Sequence, residues 1–180
     1  STCPLWIDDR IDLTVGQLAR RVRQVRVESR RALGRGAAPT ELALVVVDRL
    51  RLMTPPPNGR AGQPSTRRLL ERLKQVAVDE NVALLLLHDL DDDCDDYGDA
   101  PRPFLSDLDQ REGIPRLADV VLVLHSKGYH AATASREPEE LIVAANRHGP
   151  LRTAKLRYMP KVRRFRELFP PFDVFADDDE

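Results

Sequence analysis

The strongest constraint on the fold is a pair of near-continuous apolar runs. Leu42-Ala43-Leu44-Val45-Val46-Val47 closes at Asp48, and Val82-Ala83-Leu84-Leu85-Leu86-Leu87 closes at His88. Runs without polar alternation are the pattern of strands buried on both faces, as in a parallel sheet. Between them, Leu69, Leu70, Leu73, Val76 and Ala77 fall on one helix face. Strand, helix, strand of this kind predicts a right-handed βαβ unit. Pro55-Pro56-Pro57-Asn58-Gly59 starts a loop that reaches about Ser65.

The flanking segments extend this plan. Leu5-Trp6-Ile7 reads as a short strand leading into Asp8-Asp9. Thr14 and Gln17 have the spacing of a capping box. Leu18, Val22, Val25, Ser29 and Leu33 follow at helical intervals, and Gly34 and Gly36 end the helix. Its other face carries Arg20, Arg21, Arg23, Arg26, Arg30 and Arg31. Val120 to Leu124, opened by Asp119, is a third strong strand. Leu141 to Ala145, Arg152 to Tyr158 and Val162 to Phe165 read as shorter strands, with Gly149-Pro150 turning between the first two. They are expected to form an antiparallel extension at the sheet edge.

A chain of 180 residues is long enough for one domain with a real core. No apolar run approaches the ~18–20 residues of a membrane span. The start, Ser1-Thr2-Cys3-Pro4-Leu5-Trp6, has no basic region and no long apolar region, so no signal peptide is read there. It also lacks a Met, and the chain is expected to begin inside a longer one. Cys3 and Cys94 make neither a disulfide framework nor a zinc site on their own; one bridge stays open to them, and a reducing cytoplasm is the simpler reading.

A net charge of -1 hides a strong asymmetry. Seven acids lie between Asp89 and Asp99 and five between Asp173 and Glu180; setting these twelve aside leaves 17 acids against 28 bases, or +11. A basic body is the electrostatic footprint of a nucleic-acid binder. An arginine-rich solvated helix face gives the same count.

Asp48 is the most informative residue. An acid directly after an apolar strand stands at the carboxyl end of that strand, where open α/β sheets bind ligands. In P-loop NTPases such an Asp holds Mg²⁺, although many α/β strands end in Asp. No G-x-x-x-x-G-K-S/T loop accompanies it, and Gly34-Arg35-Gly36 closes a helix instead of opening one. The acidic run Asp91 to Gly98 fails as an EF-hand, because Tyr97 and Phe104 would fall on ligand positions. The four histidines lack metal-ligand spacing, and no G-x-S-x-G elbow is present. Arg147 ends a strand just before a tight turn, a placement that suits phosphate recognition. On that pattern alone an ordinary surface arginine is the better reading.

Assembled, these segments resemble the C-terminal motor domain of the DnaB-like replicative DNA helicases over nearly the whole chain. Leu5-Trp6-Ile7-Asp8-Asp9 with Leu13-Thr14 resembles the family's "YIDD…LT". Val45 to Met53 resembles its Walker B stretch, "IDYLQLM". Arg102-Pro103, Ser106-Asp107-Leu108 and Ala118-Asp119 resemble "KRP…SDL…DAD", and Arg147-His148-Gly149-Pro150 resembles "KQRNGP".

The resemblance implies an α/β, RecA-like P-loop NTPase core, with a mostly parallel sheet and antiparallel edge strands. Residues 1–170 would be a partial motor domain and 171–180 an acidic tail. The family's Walker A loop and catalytic Glu would lie upstream of Ser1. The resemblance also implies ATP and Mg²⁺ as cofactors and a ring hexamer of helicase subunits. Single-stranded DNA would be a partner, and primase or a loader are further candidates. It casts Asp48 as the Walker B acid and Mg²⁺ ligand, and Arg147 as an arginine finger reaching a neighbouring subunit's nucleotide. Arg60, Arg111 and Arg116 become candidate contacts to DNA phosphates.

Departures accompany the likeness. The family's "SQL", whose Gln senses the γ-phosphate, reads His88-Asp89-Leu90. This puts a carboxylate, Asp89, where it would repel phosphate. Ala145 replaces the Lys before the finger, "RESG" reads Asp109-Gln110-Arg111-Glu112, and the usual "QLNR" has become acidic. Three readings follow: an ATP-driven helicase motor or a fragment of one, a non-catalytic DNA-binding or ring-assembly paralogue, and a structural RecA-like domain of another complex. Alone, such a chain is expected to expose sheet edges and to aggregate.

Overall fold

The computed structural model describes residues 4–32, 42–56, 65–89, 103, 105, 114–126 and 138–168. The glycines expected to end the first helix, the acidic run after Asp89, Ser106-Asp107-Leu108, Arg60, Arg111, both cysteines and the acidic tail lie outside them. The chain forms two compact units, Ser1–Leu90 with Glu112–Leu117, and Asp91–Arg111 with Ala118–Glu180.

The first unit begins with helix α1, Val15–Ala32. Its capping box closes as the spacing predicts. The Gln17 backbone N–H donates to Thr14 Oγ1 at 3.3 Å, and the Thr14 N–H donates to Gln17 Oε1 at 2.8 Å. The Thr14 donor is thereby satisfied, while the Gln17 N–H also reaches the Thr14 carbonyl at 3.0 Å. Val22, Val25 and Ser29 are buried along its inner face. The buried Ser29 hydroxyl donates to the Arg26 carbonyl at 3.1 Å, so no polar atom is stranded there.

Strand β1, Leu44–Asp48, and strand β2, Ala83–Leu87, pair in parallel. Helix α2, Ser65–Asp79, makes the crossover between them. It ends in a Schellman motif. Asn81 takes a left-handed φ of 47°, its N–H bonds to the Val78 carbonyl at 3.1 Å, and the Val82 N–H reaches the Ala77 carbonyl at 3.0 Å. Val15, Leu50, Met53, Leu69, Leu70 and the fully buried Leu73 form the core, with Val47, Leu84 and Leu86 packed against it. Helix α3, Ile114–Leu117, adds Leu117 to the same cluster.

Two expectations need correction. Leu5-Trp6-Ile7 forms no strand; Leu5 is 80% and Ile7 78% exposed. Three apolar residues offer few ladder bonds, and Asp8 curls the chain by accepting from the Arg10 side chain at 2.8 Å. Among the described residues, the only bridge of this segment is Leu13 to Met53. Nor are β1 and β2 buried on both faces. Val45, Val47, Leu84 and Leu86 face the core, whereas Leu44, Val46, Leu85 and Leu87 lie on a face that no described residue covers.

The second unit is a four-stranded antiparallel sheet in the order β3-β4-β5-β6: Val120–His125, Glu139–Asn146, Thr153–Met159 and Arg164–Glu167. A bulge leaves Ala144 unpaired opposite Val121 and Leu122. Bulges increase the local twist of a strand, and this one precedes Asn146 and Arg147. A 3-10 turn, Pro160–Val162, joins β5 to β6. No helix among the described residues is long and apolar enough to cross a membrane.

Candidate active site

In an open α/β sheet, ligands bind beyond the carboxyl ends of the parallel strands. In the first unit that end carries Asp48 on β1 and, two residues past β2, Asp89. Asp48 stands in register with Leu87 and, by strand alternation, shares the uncovered face with Val46 and Leu85. It is exposed and makes no hydrogen bond or ion pair among the described residues.

Arg49 follows Asp48, and its Nη1 donates to Asp89 Oδ2 at 2.7 Å. The two side chains are 53% and 48% exposed, so the pair bridges the two strand ends in contact with solvent. The hydrogen bond and charge of Asp89 hold the Arg49 guanidinium above its ordinary pKa, with the Asp48 charge adding to the effect. The Asp89 carboxylate therefore faces a fixed cation. Nearby, a shallow cleft of about 140 Å³ is lined by Leu50, Met53, Leu69 and His88. It has room for a few waters, not for a nucleotide.

The donor chemistry at Asp48 fits Mg²⁺. That ion prefers oxygen ligands, keeps several waters and is commonly held by one or two carboxylates plus phosphates. A single unengaged carboxylate at a strand end meets the requirement. The described residues contain no group of three or more His, Cys, Asp or Glu that would enclose a metal, as zinc or calcium sites do.

In the second unit, Arg147 follows β4 directly. Its backbone N–H donates to the Asp119 carbonyl at 2.9 Å, and its Nε donates to the Ala118 carbonyl at 3.1 Å. Asp119 Oδ1 lies 3.8 Å from the same nitrogen. The guanidinium is thus anchored on its inner edge while the side chain stays 51% exposed. The turn is built by Asn146, whose Oδ1 accepts from the His148 N–H at 3.2 Å. A Cβ on Gly149 would stand 2.7 Å from Asn146 Nδ2, so the Asn146 amide would have to shift to admit one.

Of the remaining expected contacts, Arg116 is exposed on α3. Arg60 and Arg111 lie outside the described residues. Asp48 and Asp89 share one strand-end rim, while Arg147 belongs to the other unit. Sequence reasoning misses Arg49. Its signal is a paired departure: an arginine at the Tyr of "IDYLQLM" and a carboxylate at the Gln of "SQL".

Comparisons with known proteins find likenesses over most of the chain. The family profile described as "DnaB-like helicase C terminal domain" matches residues 1–167. The replicative DNA helicase DnaB of Leifsonia xyli subsp. xyli is 29% identical over 168 residues, 93% of this chain and 34% of that protein. The probable plasmid replicative DNA helicase of Chlamydia psittaci is 33% identical over 112 residues, 62% of this chain and 24% of that protein. The chain spans about a third or less of these relatives. Among solved structures, one described as an ATPase domain gives a TM-score of 0.68 at 24% identity, over 86% of this chain and 51% of that one. A DnaB-like replicative helicase described with its interactions with primase gives 0.67 at 24%, over 84% and 34%. These likenesses bear out the RecA-like α/β architecture.

Proposed function

The chain belongs to the DnaB-like helicase C-terminal domain family, and from that premise we propose that it is part of an ATP-driven motor that unwinds DNA during replication. The observation that carries this reading is Asp48, an unengaged carboxylate at the carboxyl end of a parallel strand. In this reading Asp48 holds Mg²⁺ through the ion's water shell, and the ion supplies charge neutralisation for phosphoryl transfer. Asp48 thereby fixes where the nucleotide's phosphates sit against β1.

Arg147 acts on a nucleotide held by a neighbouring copy. Its backbone and Nε anchors restrict the guanidinium, so it meets developing phosphoryl charge without first having to be ordered. Asp89 takes the sensor position, and Arg49 cancels the charge that would otherwise repel the phosphates. Arg60, Arg111 and Arg116 contact the backbone of single-stranded DNA. The assembly is a ring hexamer of copies or related subunits working in the cytoplasm, with primase or a loader as a further partner.

The test is Mg²⁺-dependent ATP hydrolysis by the full-length protein that carries this chain. Asp48→Asn removes the anionic ligand without changing the side chain's shape. Turnover should fall at least a hundredfold and recover in part at high Mg²⁺. Unchanged turnover at low Mg²⁺ would remove Asp48 from the site.

A further inference from the structure

Among the described residues of the first unit, six arginines are matched to carboxylates, while Arg20, Arg30, Arg31, Arg68 and Arg72 are not. Arg10 pairs with Asp8, Arg21 with Glu28, Arg23 and Arg26 with Glu80, Arg49 with Asp89, and Arg67 with Glu71. The β5–β6 hairpin differs in setting cations against each other across a ladder. Arg157 stands in direct register with Arg166, and Arg164 stands opposite Met159. Strand alternation puts all three guanidiniums on one face of the hairpin. All are exposed, and none makes an ion pair or hydrogen bond through its side chain among the described residues.

This arrangement works against folding. Like charges directly opposite one another across two strands are destabilising. At the turn, Arg163 takes a left-handed φ of 48°. That conformation suits glycine and is rare for a long side chain. Charge on an edge strand does discourage unwanted sheet pairing, but that need is met by β6 alone. Arg157 belongs to β5 and is paired with β6, one residue past the end of the β4 ladder at Leu156. The opposite face holds the hairpin in register through Tyr158 and Phe165, whose ring centroids lie 5.0 Å apart. The cations are therefore mounted on a braced element.

We propose that the cationic face of the β5–β6 hairpin, Arg157, Arg164 and Arg166 with Arg163 at its turn, binds the phosphate backbone of single-stranded DNA. Arg164 and Arg166 are two residues apart on one strand, roughly 6.7 Å, so a single backbone can meet both. Phosphate oxygens supply the anions the fold withholds, and guanidiniums bind them in bidentate fashion. The inference goes beyond the proposed motor role, because it concerns residues of the second unit and needs no ATP turnover.

The experiment is binding of a fluorescein-labelled oligo(dT) to the full-length protein, followed by anisotropy across a salt series without ATP. Arg157→Gln, Arg164→Gln and Arg166→Gln combined should weaken binding at least tenfold. They should also flatten the dependence of log K on log salt by about 2, since each lost phosphate contact on a single strand removes about 0.7. Arg163→Gly relieves the left-handed residue, and should weaken binding while the melting temperature holds or rises. The assay holds no ATP, so its outcome does not depend on the motor reading. Unchanged affinity and slope in the triple variant, or an Arg163→Gly protein that binds normally, overturns the proposal and leaves the hairpin to another anionic partner.

Discussion

Arg49 Nη1 and Asp89 Oδ2 stand 2.7 Å apart across the carboxyl ends of β1 and β2, beside the free carboxylate of Asp48. The two residues are forty positions apart in sequence, and both depart from the motif residues usual at their places. The pair keeps the local charge near that of a neutral sensor side chain. Exposed ion pairs contribute about 0.2–1 kcal/mol to stability. A double-mutant cycle in urea on Arg49→Ala and Asp89→Ala should therefore give a coupling of no more than about 1 kcal/mol. The larger effect should fall on nucleotide. Arg49→Ala, which leaves Asp89 uncompensated, should weaken ATP binding several-fold, and adding Asp89→Gln should restore it. Equal ATP affinity in all three proteins would show that the pair does not face the phosphates.

Arg147 is anchored through its backbone and Nε to Ala118 and Asp119. As the proposed arginine finger, Arg147 on replacement by Ala should lower kcat by ~10³ or more while sparing nucleotide affinity. Gly149→Ala should lower kcat less, by pushing the Asn146 amide that shapes the turn. Steady-state ATPase with nucleotide affinity measured separately checks both.

Glu80 is the buried acid that ties α1 to the end of α2. Its carboxylate lies 2.6 Å from Arg23 Nε and 3.4 Å from Arg26 Nη1, and its own side chain is 7% exposed. Arg26 also donates to the Glu80 carbonyl. Glu80→Ala should destabilise by about 2 kcal/mol, below the roughly 3–5 of fully buried pairs, because solvent screens Arg23. A lower urea midpoint at constant slope would show it.

Asp8 is held at a pKa of about 2, below the ordinary 3.8, chiefly by its hydrogen bond from Arg10. A depressed folded-state pKa favours the folded chain above the unfolded value. That contribution is complete above about pH 5 and is lost as pH falls from near 4 through 2. The Asp8 carboxyl carbon should titrate in NMR with a midpoint near 2, and Arg10→Ala should move it toward 3.8.

What is legible in the sequence is what depends on near neighbours. The Thr14–Gln17 capping box and the helix face of Leu69, Leu70 and Leu73 involve residues at most four apart. β1 and β2 announce themselves through unbroken apolar runs. Such a run reports what a strand can bury, not what covers it, so the open face at Val46 and Leu85 is not foreseeable from it. Leu5-Trp6-Ile7 fails as a strand because a strand exists only with a partner. Asp48 and Arg147 are readable as candidates, each from its own place at a strand end. Arg49 with Asp89, and Glu80 with Arg23, are not, because only the βαβ crossover and the packing of α1 bring them together.

Displacement of one strand of a forked DNA duplex by the full-length protein, with ATP and Mg²⁺, tests the motor role most directly. The wild-type protein should unwind the fork only when both are present, and Asp48→Asn should abolish unwinding while still binding the single strand. Absence of ATP-dependent unwinding in the wild type, or unwinding that survives Asp48→Asn, would contradict the assignment of this chain to a working helicase motor.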